Sequence, residues 1–238
     1  LGFNFLTGGS RATFSTGMTV VRSTREAIEE LRKRAALLWE VDLDQVEWVD
    51  GHARLIAGDE PKTMSLAQIA KQAGKTGGPI MANCSMNVTG AGPSLGTHIV
   101  DVEVDTETGK VSIVRYTAIQ DAGKAIHPAY VEGQMQGGAV QGIGWALNEE
   151  YIYNDKGQLE NAGFLDYRIP VCSDVPMIDT VIVEVPNPNH PYGVRGVGET
   201  PIIPPLAAIS NAVSRATNIR FNELPLSPPK VLARLMHG

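Results

Sequence analysis

One glutamate, Glu199, has the neighbours that acid–base chemistry needs. It lies in segment 196–201, which reads GVGETP, and two more prolines follow at 204 and 205. Glycines before the carboxylate let the backbone approach another group closely, and prolines after it stiffen the path into the apolar run 206–213. A carboxylate presented on such a loop could act as a general base. The simpler interpretation is a helix-start carboxylate near the positive end of the helix dipole.

A second candidate site is the glycine-rich turn at residues 8–13, which reads GGSRAT. Adjacent glycines free backbone N–H groups to converge on an anion, and Ser10 and Thr13 add hydroxyl donors. Arg11 adds a planar cation suited to phosphate. An ordinary turn with a helix cap explains the same residues equally well. No Gly-Lys-Ser/Thr follows at the Walker spacing, so the segment is not a nucleotide P-loop.

The third candidate is a helix predicted at about 129–149, which contains five glycines at 133, 137, 138, 142 and 144. Each glycine costs a helix about 1 kcal/mol relative to alanine, so close approach of another body is expected. Gln134, Gly138 and Gln141 share one face, where two amides beside a bare patch could grip a flat ligand. Tight packing against another structural element is the alternative.

Composition limits the class of protein. A length of 238 residues, of which 43% are hydrophobic, suffices for one large domain or two small ones. A net charge of −6 with no long basic run argues against nucleic-acid binding. No apolar stretch has the length of a membrane span. The two cysteines, Cys84 and Cys172, cannot form a disulfide framework, which fits a cytoplasmic protein. The histidines are scattered and form no metal-ligand motif.

The elements that must position these segments follow from periodicity and turn residues. Hairpins and helices mix without strict βαβ alternation, so the predicted class is α+β. The loop carboxylate Asp121 is expected to make loop hydrogen bonds, and His127 to be either exposed or a helix cap. The predicted helices are 16–39, 65–73, 129–149, 205–216 and a last short one after a strand near 221. The other predicted strands are 46–49, 53–56, 98–104, 111–118, 151–153, 164–169 and 181–185. The glycine-rich stretch at 74–96 is either a long irregular loop or a seam between two subdomains.

Four segments together resemble the molybdopterin-binding large subunit of the xanthine oxidase family, in the same order. They are 8–13 (GGSRAT), 121–128 (DAGKAIHP), 132–142 (EGQMQGGAVQG) and 196–201 (GVGETP). The resemblance covers nearly the whole chain and corresponds to the C-terminal part of that subunit. It implies mixed sheets with packed helices, of the aldehyde oxidase and xanthine dehydrogenase molybdopterin-binding domain type. Residues 1–96 would be a first subdomain with the cofactor loop (residues 8–13). Residues 97–238 would be a second subdomain with the glutamate loop (residues 196–201).

The resemblance also implies roles for the matching residues. Glu199 resembles the general base beside molybdenum, Gly198 the glycine that lets it approach, and Gln134 the amide that hydrogen-bonds the pterin. The loop that wraps the cofactor is matched by Gly9, Ser10, Arg11, Ala12 and Thr13. In this family the sulfurs of the pterin hold the metal, so no metal ligand is expected from the protein.

The implied activity is oxidation of a heteroaromatic or aldehyde substrate with oxygen from water. The implied cofactor is molybdenum–molybdopterin, in the plain or the cytosine dinucleotide form, with FAD and 2Fe-2S clusters on partner chains or domains. The implied partners are the N-terminal half of the molybdopterin subunit, an iron–sulfur subunit and an FAD subunit, in a hetero-oligomer that could itself dimerise. Because that N-terminal half is missing from the sequence, we expect a split subunit or a fragment with an incomplete site.

Two alternatives stay open at this point. One is a non-catalytic scaffold subunit of the same kind of complex, which keeps the fold and the cofactor contacts. The other is an unrelated phosphate-binding enzyme that uses the turn at residues 8–13.

Overall fold

The computed structural model describes residues 6–56, 61–87 and 92–237. The chain divides into two compact units: a small unit, Ala12–Thr89, and a large unit made of Leu1–Arg11 with Gly90–Gly238. The glycine-rich turn at residues 8–11 therefore belongs to the large unit, together with the C-terminal part of the chain. The assignment of 1–96 and 97–238 to two molybdopterin-binding subdomains stays a prediction.

The small unit combines one long helix with a three-stranded antiparallel sheet. A turn of π-helix, Ala12–Thr16, leads into the helix, and the turn at Asp50 and Gly51 joins the first two strands with both residues at positive φ. Apolar residues of the long helix pack against the sheet around Ala35 and Val46, both fully buried. The elements are α1 (Gly17–Trp39), β1 (Val46–Val49), β2 (His52–Leu55), β3 (Thr63–Ser65) and α2 (Leu66–Lys71), with strand order β1-β2-β3.

The large unit is a three-stranded mixed sheet covered by helices. Its elements are β4 (Gly96–Val104), β5 (Val111–Asp121), α3 (Pro128–Leu147), β6 (Ile178–Val183), α4 (Pro204–Thr217) and α5 (Pro228–His237). The strand order is β4-β5-β6, with β4 antiparallel and β6 parallel to β5. Tyr116 of β5, Met135 and Ile143 of α3 and Ile209 of α4 share one buried core. The predicted α+β class is confirmed.

Three predicted strands are wrong. Tyr153 forms only an isolated bridge with Leu159. Residues 164–169 begin with a turn, in which the N–H groups of Asp166 and Tyr167 bond the Gly163 carbonyl oxygen. No strand occurs within the described residues 218–227, and prolines at 225, 228 and 229 explain this last error, because proline has no N–H to donate to a strand ladder. No helix of the described residues is long and apolar enough to cross a membrane.

His98 of β4 is a buried histidine in the core of the large unit. It is 9% exposed, and its Nδ1 lies 2.8 Å from the Tyr116 hydroxyl. Its Nε2 has no hydrogen-bond partner among the described residues. Burial lowers the pKa of His98 to about 4, because the imidazolium would lose its hydration there.

We expect the large unit to lose stability as the pH falls from about 6.5 to about 4. In the unfolded chain His98 takes up a proton near its ordinary pKa of 6.5, whereas the folded form stays neutral until about 4. Protons therefore bind the unfolded state preferentially in this window. This binding lowers the free energy of unfolding by at most about 3 kcal/mol. Urea unfolding at pH 7 and near the lower limit, followed by hydrogen exchange of β4 and β5 peptides, measures the effect. His98→Gln should remove this component, and His237→Gln at the exposed end of α5 should not; equal pH dependence in all three proteins would contradict the expectation.

Candidate active site

The Glu199 carboxylate meets the opening turn of the chain within the large unit. The residue follows a short 3-10 helix, Pro191–Gly193, and a loop, and it directly precedes a second 3-10 helix, Thr200–Ile202, that leads into α4. Glu199 is exposed, and its Oε2 accepts a hydrogen bond of 2.6 Å from the Gly9 N–H. The two residues are separated by 190 positions in the sequence. The glycine-rich turn and the segment that carries Glu199 therefore lie together in a single candidate site.

Ser10 ties the same turn to the loop before the glutamate. Its Oγ accepts hydrogen bonds from the N–H groups of Val197 at 2.8 Å and Gly198 at 3.5 Å. Gly9 and Ser10 have φ values of 60° and 58°, a left-handed pair that is unusual for serine. The prediction that Ser10 offers a hydroxyl donor is compatible with this geometry, because an oxygen that accepts two bonds still carries its own O–H.

Helix α3 brings the third candidate segment to the glutamate loop. A Cβ added at Gly198 would lie 3.0 Å from Oε1 of the exposed Gln134, so a side chain at position 198 would displace the amide. The absence of a Cβ at Gly198 therefore lets the Gln134 amide lie close to the loop, although this exposed amide could shift by a few tenths of an ångström to make room for one. Gly9, Ser10, Gln134, Gly198 and Glu199 all lie in one region of the large unit.

Two buried glycines of α3 let the chain after Glu199 lie directly on the helix. A Cβ at Gly138 would lie 2.7 Å from Pro201 Cγ, and one at Gly142 would lie 2.7 Å from the Ile202 carbonyl oxygen. Pro201 thus covers the helix surface at Gly138. The interpretation that this surface is open to a ligand is wrong. Tight packing is the correct interpretation for these two glycines.

Asp121 anchors the start of the glutamate loop through its ion pair with Arg195. Its carboxylate accepts hydrogen bonds from the N–H groups of Gly123 at 2.9 Å and Val185 at 3.1 Å, and pairs with Arg195 at 3.0 Å. Arg195 also donates to the carbonyl oxygens of Val185 and Pro93. Both charged side chains are largely buried, at 11% and 15% exposure. The predicted hydrogen-bonding role of Asp121 is confirmed, and sequence reasoning missed its partner Arg195.

The other predicted residues divide between the units. Arg11 is half-buried in the large unit, whereas Ala12 and Thr13 are exposed and belong to the small unit. Their role in wrapping a cofactor stays a prediction. His127 caps α3 as expected, since its Nδ1 accepts from the Tyr130 N–H at 3.3 Å. Among residues 6–56, 61–87 and 92–237, no group of three or more His, Cys, Asp or Glu side chains could hold a metal ion.

Comparison with known proteins places this chain in a family. A family model described as the molybdopterin cofactor-binding domain matches residues 2–176. The putative xanthine dehydrogenase molybdenum-binding subunit of Escherichia coli (strain K12) is 37% identical over 207 residues, which are 85% of this chain and 28% of that protein. The nicotine 6-hydroxylase large subunit of Paenarthrobacter nicotinovorans is 33% identical over 235 residues, which are 94% of this chain and 29% of that protein.

Solved structures agree with the sequence matches. The quinoline 2-oxidoreductase from Pseudomonas putida 86 superimposes with a TM-score of 0.81 at 29% identity, over 97% of this chain and 30% of that one. The chain therefore spans less than a third of the length of these relatives. It belongs to the molybdopterin cofactor-binding domain family, and within it to the molybdenum-binding subunits of the xanthine oxidase type.

Proposed function

We propose that this chain supplies the general base, Glu199, and one side of the molybdopterin site in a molybdenum hydroxylase. The observation that carries the proposal is the 2.6 Å hydrogen bond between the Gly9 N–H and the Glu199 carboxylate. It joins the segment that would wrap the cofactor to the segment that would carry the base. Family membership leaves no room for the alternative of an unrelated phosphate-binding enzyme.

The residues of the site fit a cofactor rich in hydrogen-bonding groups. A Cβ at Gly9 would meet no atom of the described residues within 4 Å, so a ligand can approach the backbone there. Gln134 is exposed on α3 and offers both an amide donor and an acceptor. The Ser10 hydroxyl is held in place by the loop amides, which leaves its O–H to donate.

The chemistry divides between the cofactor and this chain. When bound, the molybdenum cofactor supplies the two-electron redox chemistry and the activation of a water-derived oxygen. Glu199 would accept at its carboxylate the proton that the water-derived oxygen gives up when it replaces a hydrogen on the electron-poor carbon of the substrate, while the two electrons of that C–H bond would go to the cofactor. The Gly9 N–H holds Oε2 of the carboxylate by a hydrogen bond, and Gln134 would orient the cofactor by hydrogen bonds. Pro201, packed on Gly138, keeps the backbone after the base from moving away.

We further propose a heteroaromatic or aldehyde substrate. Two of the relatives are named for the N-heteroaromatic compounds nicotine and quinoline, which supports the first class. The second class rests on the resemblance to aldehyde oxidase. The chain spans less than a third of these relatives, which supports a site completed by a further molybdopterin-binding segment. The resemblance to the xanthine oxidase family is the ground for proposing 2Fe-2S clusters and FAD on partners in a cytoplasmic hetero-oligomer. The pterin would be present as molybdopterin or as its cytosine dinucleotide.

Metal and pterin analysis tests the proposal. The purified native complex that contains this chain should hold molybdenum and an organic pterin in amounts equal to the chain. Mass spectrometry of the metal and fluorescence of the oxidised pterin measure both. Gln134→Ala should lower the pterin content several-fold, because it removes the exposed amide beside Gly198.

The matched control is Gln158→Ala, which removes an exposed glutamine of the same unit whose side-chain oxygen accepts a hydrogen bond from Asn154 at 3.2 Å. This variant should keep the wild-type pterin content. A native complex with neither molybdenum nor pterin would refute the proposed function.

A further inference from the structure

Gln120 is a buried polar side chain that the proposed chemistry does not use. It lies on β5 and is 1% exposed. Its Nε2 donates to the carbonyl oxygens of Gly196 at 3.2 Å and Val197 at 3.3 Å, and lies 3.4 Å from Ser94 Oγ. Because carbonyl oxygens only accept hydrogen bonds, the amide nitrogen must face them, so chemistry fixes the orientation of this amide.

The loop before Glu199 is therefore held from two sides. Ser10 accepts the N–H groups of Val197 and Gly198, while Gln120 donates to the carbonyl oxygens of Gly196 and Val197. Both peptide bonds of Val197 are held two residues before the base. The flanking glycines are the most permissive residues of the backbone, so contacts from outside the loop must supply its rigidity.

The core alone does not require a glutamine at this position. The residues two positions before and after it, Ala118 in β5 and Ala122 just beyond the end of the strand, are fully buried and apolar. The Oε1 of Gln120 has no hydrogen-bond partner among the described residues, and burying an amide with an unused acceptor is costly. An apolar side chain of the same size would fill the space without that cost. It would remove the donor to the Val197 carbonyl oxygen, and it would leave the Gly196 carbonyl oxygen with the long bond from the Thr200 hydroxyl, 3.5 Å away.

We propose that Gln120 is a positioning residue for Glu199. It fixes the peptide planes of residues 196 and 197, and through them it sets where the carboxylate stands relative to the reacting atoms. It acts through the backbone and does not touch the substrate. This inference rests on the proposed role of Glu199 as the base.

Gln120→Met tests it, because methionine keeps the size of the side chain and removes both donors. In the assembled complex the turnover number should fall by about 10- to 100-fold, since a misplacement near 1 Å has that effect on a catalytic group. The KM and the molybdenum content per chain should stay at wild-type values. Quinoline and an aromatic aldehyde serve as probe substrates, with a redox dye as the electron acceptor. Hydrogen exchange should rise in a peptide covering 194–200 and not in a β4 peptide.

The matched control is Gln136→Met, in which a glutamine of α3 loses its bond to the Ile178 carbonyl oxygen, 3.2 Å in the wild type. It should keep wild-type turnover and wild-type exchange at 194–200. If Gln120→Met does not fold, Gln120→Asn, which draws the amide back by one methylene, takes its place with the same expectation. Unchanged turnover or unchanged loop exchange in the Gln120 variant, or an equal loss in Gln136→Met, would overturn the positioning role.

The two proposals fail in different ways. Turnover that survives Glu199→Gln removes the base, and the positioning role with it. Turnover that is lost in Glu199→Gln and kept in Gln120→Met leaves the base in place and removes only the role of Gln120.

Discussion

Replacing Glu199 with glutamine should lower turnover in the assembled complex by about 10²- to 10⁴-fold, the range expected for loss of a general base. The amide has nearly the same volume as the carboxylate, and its oxygen can still accept the hydrogen bond from Gly9 N–H. It cannot take up a proton at neutral pH. Molybdenum and pterin content should therefore stay near wild type. Steady-state rates with the same probe substrates and metal analysis of the same samples measure the two quantities.

Glu160→Gln is the matched control, because it neutralises one exposed carboxylate of the same unit. It should leave turnover unchanged. A Glu199→Gln complex that turns over at the wild-type rate would favour the scaffold alternative. Molybdenum lost together with turnover would make Glu199 a residue that holds the cofactor. The family model ends at residue 176, so this variant is the direct test of the glutamate loop.

Adding one methyl group at Gly142 should destabilise the large unit and reduce turnover. Alanine is the better helix former by about 1 kcal/mol, so helix propensity alone predicts a gain. The new Cβ would lie 2.6 Å from Pro205 Cγ and 2.7 Å from the Ile202 carbonyl oxygen. A proline ring and a backbone carbonyl cannot rotate away, and overpacking of this kind costs about 1–3 kcal/mol. The steric cost therefore exceeds the gain from helix propensity. We expect the segment that carries Glu199 to move away from α3.

Gly133→Ala provides the comparison on the same helix. Gly133 is exposed, and a Cβ there would meet no atom of the described residues within 4 Å. This variant should gain up to about 1 kcal/mol of stability. Urea unfolding of both proteins gives the sign of each change. A Gly142→Ala protein as stable as wild type would mean that the contact between α3 and the 200–205 segment is looser than the structure describes.

The sequence by itself determined most of the elements and the identity of the segments that bear chemistry. The predicted helices 16–39, 129–149 and 205–216 match α1, α3 and α4 within two residues at each end. The alternation at 98–104 and 111–118 predicts the β4–β5 hairpin. Periodicity and turn residues act over a few neighbouring positions, so the sequence carries this information locally. The four segments indicate the family only as an ordered set, since each one alone also fits an ordinary turn or helix.

Tertiary structure alone decided which of those segments meet and what holds them. The bond between Gly9 and Glu199 joins positions 190 residues apart, and no local pattern encodes such a pairing. Gly138 is a packing glycine because Pro201 covers it, although its spacing from Gln134 also suits a ligand surface. In the sequence Gln120 is one polar residue in an alternating strand. Only the structure shows that its amide donates to the carbonyl oxygens of Gly196 and Val197. The physical reason is common to all three: short-range sterics select helix or strand, whereas the partner of a side chain depends on how separate elements stack.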